Sequence, residues 1–167
     1  VDRSAIQRLD RRAIHDIIQA HRLLAFRIRQ YEKETQLPDI AGKLLTASNL
    51  RLRHEAVQAT WQAKQRQWIP DLLELAARET DRVTFYSAWN ALRELGTLED
   101  RKSWLDDGRP GVRLAALLGL FEDDAVAADD VQRFRSSTDP RVSALVESWL
   151  EKTGGAATRA AILAALR

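Results

Sequence analysis

The 167-residue chain has no cysteine and no methionine, four prolines, seven glycines and 7% aromatic residues. Without cysteine it can form no disulfide, thiolate zinc site, iron–sulfur cluster or CxxCH haem attachment, and it has no thiol nucleophile. Its redox compartment therefore leaves no mark. An excess of one charge is also missing: 26 Lys+Arg stand against 24 Asp+Glu, a formal net charge of +2. Nucleic-acid binders usually concentrate positive charge, because affinity grows with each phosphate neutralised, so nucleic acid is a disfavoured partner. The longest apolar run, Leu114–Phe121, is far short of the roughly 20 residues that cross a bilayer as a helix. No membrane span is expected.

At 19.0 kDa and 45% apolar residues, the chain has material for one folded domain with a substantial core. Its charge is graded: residues 1–36 carry eight basic against five acidic residues, residues 37–80 six against five, and residues 81–167 twelve against fourteen. A chain that starts at Val1 with no initiator Met or apolar leader is read as processed, or as part of something longer.

Apolar residues at the N-terminus recur at threes and fours: Ile6, Leu9, Ala13, Ile17, Leu24, Ile28 and Tyr31, with Ala20 and His21 filling the one wider gap. This pattern predicts a long amphipathic helix over 1–36, N-capped by Ser4 and ended at Gln36-Leu37-Pro38, which caps or extends whatever follows. From residue 37 to 167 the pattern changes to short helical pieces punctuated by Asn, Asp, Gly and Pro, with no strand-like alternation.

Those pieces repeat. Segments 52–60, 84–92, 112–120 and 142–150 superpose in register, their starts 32, 28 and 30 residues apart. Their first, fifth, eighth and ninth positions are mostly apolar or small, which predicts one buried helical face; only Val146 and Trp149 depart from the small pair at the fifth and eighth. Each segment follows a turn, at Ala47-Ser48-Asn49, Thr80-Asp81, Asp106–Pro110 and Ser136–Pro140, and Pro110 and Pro140 suit a helix start. An apolar segment precedes each turn, anchored by Ile40/Leu44/Leu45, Ile69/Leu72/Leu73/Leu75, Leu98/Trp104/Leu105 and Val126/Val131/Phe134. Gly96 and Gly154 are read as C-caps suited to positive φ, and Ala156–Leu166 as a separate capping or half-repeat helix. The expected fold is all-α: an α-solenoid of about four helical hairpins with a long N-terminal helix.

The motifs Gly111-Val112-Arg113-Leu114-Ala115-Ala116-Leu117-Leu118, Asp139-Pro140-Arg141-Val142 and Ser87-Ala88-Trp89-Asn90-Ala91-Leu92-Arg93-Glu94-Leu95-Gly96 resemble HEAT-like repeats of the phycobilisome-lyase type, over about residues 38–154. Repeats one and two lack the turn proline, and Thr84-Phe85 replaces the usual Val-Arg. The stretches Asn49–Ala56 and Arg109–Leu118, with the Trp-containing second repeat, are also similar to HEAT regions of large planctomycete-type dehydrogenase-like multidomain proteins. That resemblance implies a β-propeller and a c-type cytochrome module elsewhere in a parent chain. The compartment follows the same fork: cytoplasmic by default, periplasmic or secreted if the multidomain resemblance holds.

Catalytic and metal motifs fail one by one. His15 and His21 are six apart, on different helix faces, and His54-Glu55 lacks the second histidine of a zinc-protease helix because Gln58 stands there. The acidic segment Glu122–Asp124 with Asp129-Asp130 lacks the ligand alternation of a calcium loop and is read as a solvated loop with helix N-caps. Neither Gly-x-Ser-x-Gly nor Ser-x-x-Lys occurs. No catalytic residue, metal or cofactor is assigned. Of the tryptophans, Trp104 and Trp149 are read as packing residues, Trp61 and Trp89 as partly exposed.

What remains is a surface. The third and seventh register positions lie one helical turn apart on each second helix, and would form a concave stripe: His54 with Gln58, Tyr86 with Asn90, Leu114 with Leu118, and Ala144 with Ser148. The reading is a non-catalytic scaffold or protein-interaction module of a larger bacterial protein, its partner another protein or a neighbouring domain of the parent chain. The alternatives are a HEAT-like DNA-lesion glycosylase or nucleic-acid binder, and an accessory domain of a secreted oxidoreductase. Arg51, Arg53, Arg82, Arg109, Arg113 and Arg141 discriminate: grouped on the concave face they favour nucleic acid, and paired along the turns they are structural.

Overall fold

A computed structural model describes residues 14–22 and 40–165. All regular structure among them is helical: α1 (Ile40–Leu44), α2 (Leu50–Ala63), a 3₁₀ turn (Arg66–Trp68), α3 (Ile69–Arg78), α4 (Arg82–Leu95), α5 (Leu98–Trp104), α6 (Pro110–Glu122), α7 (Ala128–Gln132) and α8 (Pro140–Ala165), preceded by a helical segment at 14–22. The chain divides into two compact units, Val1–Thr97 and Leu98–Arg167. The expected domain boundary at 36/37, the Ser4 cap and most of the N-terminal apolar series lie outside the described residues.

In the first unit α1 packs on α2, α3 on α4, and α2 on α4; in the second α5 packs on α6, α7 on α8, and α6 on α8. Each short helix thus pairs with the long one that follows it, and the long helices pack on each other. The repeat register explains why. Ala56, Ala88, Ala116 and Val146, all at the fifth position, are fully buried, and Leu52, Thr84, Val112 and Val142 at the first are buried as well. Alanine and glycine at the eighth position (Ala59, Ala91, Gly119) are buried too, letting backbones approach. Trp149, the exception there, is half-buried and stacks on Phe121 with ring centroids 4.7 Å apart.

Starts follow the expected chemistry. The Asn49 side chain accepts from the Arg51 and Leu52 amides, and Asp81 from the Thr84 amide. Pro110 and Pro140 open α6 and α8, where a missing N–H costs nothing.

Helix ends depart from expectation. Left-handed C-terminal positions fall on Lys64 (φ 51°) and Asp124 (φ 49°), and no described glycine has positive φ. Ala125 N–H bonds Leu120 O and Asp124 N–H bonds Phe121 O, the Schellman pairing that satisfies the last carbonyls of α6. Glu122–Asp124 therefore closes a helix, while Asp129 and Asp130 sit in the first turn of α7, where the helix dipole favours them. Gly96 does end α4, but in extended conformation (φ −82°, ψ 150°). Gly154 ends nothing: α8 runs through it to Ala165, so the separate helix expected at Ala156 is the continuation of the same one. Elongation adds a hydrogen bond per residue without a new nucleus, and neither proline nor a left-handed residue intervenes.

The tryptophan that packs most completely is Trp68. It is buried, donates from Nε1 to Gln65 Oε1 (3.2 Å), and lies so close to Gly42 that a Cβ there would meet its ring at 2.8 Å. In 14–22 the expected apolar face is turned outward: Ile17 is 51% exposed and Gln19 only 4%. Leu98, an expected anchor, is also exposed.

Candidate interaction surface and its polar framework

The residues between helices decide what the arginines do. In the first unit Arg53, at the second register position of α2, donates from Nη1 to Ala47 O and Ser48 O, and grips Glu79 from Nε (2.8 Å) and Nη2 (3.1 Å). Glu79 also accepts from the Thr80 and Asp81 amides, and its side chain is 2% exposed. Burial alone would push this carboxyl up, but the bonds from Arg53 and from the turn amides outweigh it and hold the group below the ordinary carboxylate range. One buried ion pair therefore ties the turn before α2 to the turn before α4.

In the second unit Arg113 stands at the same register position and makes the same backward bond, Nη1 to Asp107 O, six residues upstream as Ala47 is from Arg53. Two turn carboxylates here are held locally instead. Asp107 accepts from Arg109 Nε, Nη2 and backbone N–H, and Asp139 from the same three groups of Arg141. Each arginine fork lowers its partner's pKa. Arg101, itself buried, pairs with Asp123 at 2.8 Å.

Of the six discriminating arginines, Arg53, Arg109, Arg113 and Arg141 are engaged with turn carboxylates or carbonyls. Arg82 lies over the Tyr86 ring, 5.5 Å from its centroid, and Arg51 is exposed.

The stripe residues divide between the units. On α2 and α4, His54, Gln58 and Asn90 are half-buried and Tyr86 is 39% exposed. Gln58 Nε2 donates to Ser87 Oγ (3.1 Å), bridging the two helices, and Asn90 Nδ2 donates to Tyr86 O (3.0 Å). Beside Tyr86, Val83 is 64% exposed and the exposed Arg82 lies over the ring, while buried Phe85 and half-buried Trp89 meet Tyr86 edge-on at 6.1 and 5.9 Å. His54 Nδ1 and Trp89 Nε1 are buried without a hydrogen-bond partner. On α6, Leu114 is buried and Leu118 half-buried; on α8, Ala144 and Ser148 are exposed. Structure thus brings His54, Gln58, Tyr86 and Asn90 together on packed neighbours, and assigns Leu114 to the core of its own unit.

Sequence reasoning missed the cleft beside the clamp. About 270 Å³ in volume, it is lined by Thr46, Ser48, Leu75, Arg78 and Thr80 together with Arg53 and Glu79. Its signal was Glu79, a lone acid just before an Asp N-cap. The cleft holds no nucleophile–base pair: Thr46 Oγ1 donates to Lys43 O (2.9 Å), and Arg53 and Glu79 satisfy each other. Among the described residues no three His, Asp or Glu converge on a point that would hold a metal ion, and no helix is long and apolar enough to cross a membrane.

Comparison with protein-family models, curated proteins and solved structures gives no match to this chain.

Proposed function

We propose that the chain is a non-catalytic scaffold or protein-interaction module, an α-solenoid of HEAT-like hairpins that presents the α2/α4 face to a partner protein or to a neighbouring domain. The observation that carries this reading is the contrast on that face. Val83 and Tyr86 offer apolar and aromatic surface to solvent, flanked by Gln58 and Asn90, with Arg82 over the Tyr86 ring and Arg53 engaged with Glu79 in the turn. Exposed aromatic residues set on rigid helices are the usual energetic anchors of protein interfaces. The alternation of short and long helices, with the two full-length long helices of each unit packed together, supports the repeat architecture.

Arg53, Arg109 and Arg141, each already forked onto a carboxylate, are poor phosphate ligands, which weighs against a nucleic-acid enzyme. The test is a titration against short duplex and single-stranded DNA at low ionic strength, followed by fluorescence anisotropy. No binding is expected. Binding that weakens steeply with salt would overturn the reading and direct attention to lesion excision. The α2/α4 face is tested separately: Tyr86→Ala should lower partner affinity without lowering stability, and unchanged affinity would remove this face as the binding surface.

A further inference from the structure

Aligned on their long helices, the two units place different chemistry at one position. Glu79 stands three residues before the first residue of α4, and Ser137 three before the first residue of α8. Both turns also share an N–H bond to that residue's side chain from two positions on, although it ends on different atoms: Asp81 N–H donates to the terminal Glu79 Oε1 at 2.9 Å, and Asp139 N–H donates to Ser137 Oγ at 3.3 Å. The arginines match in register too: Arg53 and Arg113 stand three residues after the starts of α2 and α6, make the same backward carbonyl bond, and lie on helices packed on α4 and α8. Arg53 Nε bonds Glu79, whereas Arg113 Nε is buried with no hydrogen-bond partner. A buried guanidinium N–H left unbonded is costly, and its natural partner is an oxyanion presented in a fork.

We propose that Ser137 is a phosphorylation site, and that its phosphate takes the role in the second unit that the Glu79 carboxylate has in the first. Phosphoserine reaches as far as glutamate: Cα–Cβ–Oγ–P–O has the same number of bonds as Cα–Cβ–Cγ–Cδ–Oε. Serine alone stops two atoms short. The modifying reaction is phosphoryl transfer from a nucleoside triphosphate by a separate kinase. Ser137 Oγ forms a bond to the γ-phosphorus, the bond from that phosphorus to the β,γ-bridging oxygen breaks, the hydroxyl proton is released and the nucleoside diphosphate leaves. Access is from the turn, where Ser136 and Thr138 are exposed on either side of half-buried Ser137. The nearest acid, Asp139, is held by Arg141 and stands to Ser137 as Asp81 stands to Glu79, an arrangement the first unit already tolerates. Added phosphate would gain charge-assisted bonds to Arg113 and order the turn.

The experiment uses the full chain with phosphoserine installed at position 137, alongside Ser137→Glu and Ser136→Glu, each with and without Arg113→Gln. Phosphoserine and Ser137→Glu should raise Tm by about 3 °C, Arg113→Gln should abolish that gain, and Ser136→Glu should show no gain that depends on Arg113. Because variants can fold less well for unrelated reasons, the Arg113 Nε–H resonance is followed directly: it should move downfield and exchange more slowly with solvent when position 137 carries phosphate. A Tm gain that survives Arg113→Gln, or an unmoved Nε–H signal, would overturn the proposal. So would inorganic phosphate moving that signal as far in the unmodified chain, since the site would then serve a free anion.

Discussion

The two units build the same hairpin pair with opposite solutions for their charged groups. In the first, Arg53 reaches across the repeat to Glu79, a carboxylate removed from water and saturated by four donors. In the second, Asp107 and Asp139 are each held by an arginine two residues away, and α6 is apolar nearly all round, with buried Val112, Leu114, Leu117 and Leu120. A cross-repeat pair fixes the spacing of two turns; a two-residue fork fixes only its own turn. The first unit therefore centres on one buried carboxylate, whereas the second adds to its local forks the longer pairs Arg101–Asp123 and Arg133–Asp106, at 2.8 and 2.9 Å.

Truncating the cores tests what the units share, and should have the largest effect. Leu92 and Leu120 occupy the same register position and are fully buried. Leu92→Ala and Leu120→Ala should each lower unfolding free energy by about 3 kcal/mol, measured by urea denaturation. A loss below about 1 kcal/mol at either site would break the equivalence of the two cores.

Charge comes next. Glu79→Gln leaves Arg53 facing a neutral amide inside the protein, and should cost about 2 kcal/mol. Asp107→Asn, which loosens one local and more exposed fork, should cost about 0.5 kcal/mol. Equal costs would erase the distinction between cross-repeat and local pairing.

Acid sharpens it further. Glu79, Asp107 and Asp139 have folded pKa values below the ordinary range, so each contributes stability that is complete above the unfolded carboxylate pKa of about 4 and is lost as pH falls through the folded value. Stability should be flat from pH 7 to about 5 as far as these groups are concerned. Below about 4 it should fall, and in Glu79→Gln the fall should be shallower by up to about 1.4 kcal/mol per pH unit. Urea midpoints across the acid range measure this. Identical slopes in the two proteins would mean that Glu79 titrates normally.

Much of the fold was legible because helix burial is periodic: the small residues at positions 56, 88 and 116 marked the inner face, and Asn49, Asp81, Pro110 and Pro140 marked starts through their own backbone chemistry. Ends were less legible. A left-handed C-terminal residue needs only a tolerable φ, so Lys64 and Asp124 served while Gly96 and Gly154 did not. The candidate surface was legible in part, since Tyr86 and Gln58 follow from register, but Leu114 has the same register and is buried, because its face depends on what packs there. Glu79 escaped notice because the value of a lone acid comes from an arginine 26 residues earlier in the chain, and no local pattern carries that.

Gly154 supplies the smallest and most direct check on how the second unit ends. If α8 passes through it as a regular helix, the residue is an interior helical glycine, which costs backbone entropy without any compensating turn. A Cβ added there meets nothing within 4 Å, so Gly154→Ala adds no clash and should raise stability by about 0.5–1 kcal/mol, with more helical ellipticity at 222 nm. At a left-handed C-cap the same substitution would destabilise, because alanine disfavours positive φ. The sign alone separates a continuous α8 from a helix that stops at Gly154 and restarts, and so decides whether the last hairpin ends like the first unit's α4 or extends beyond it.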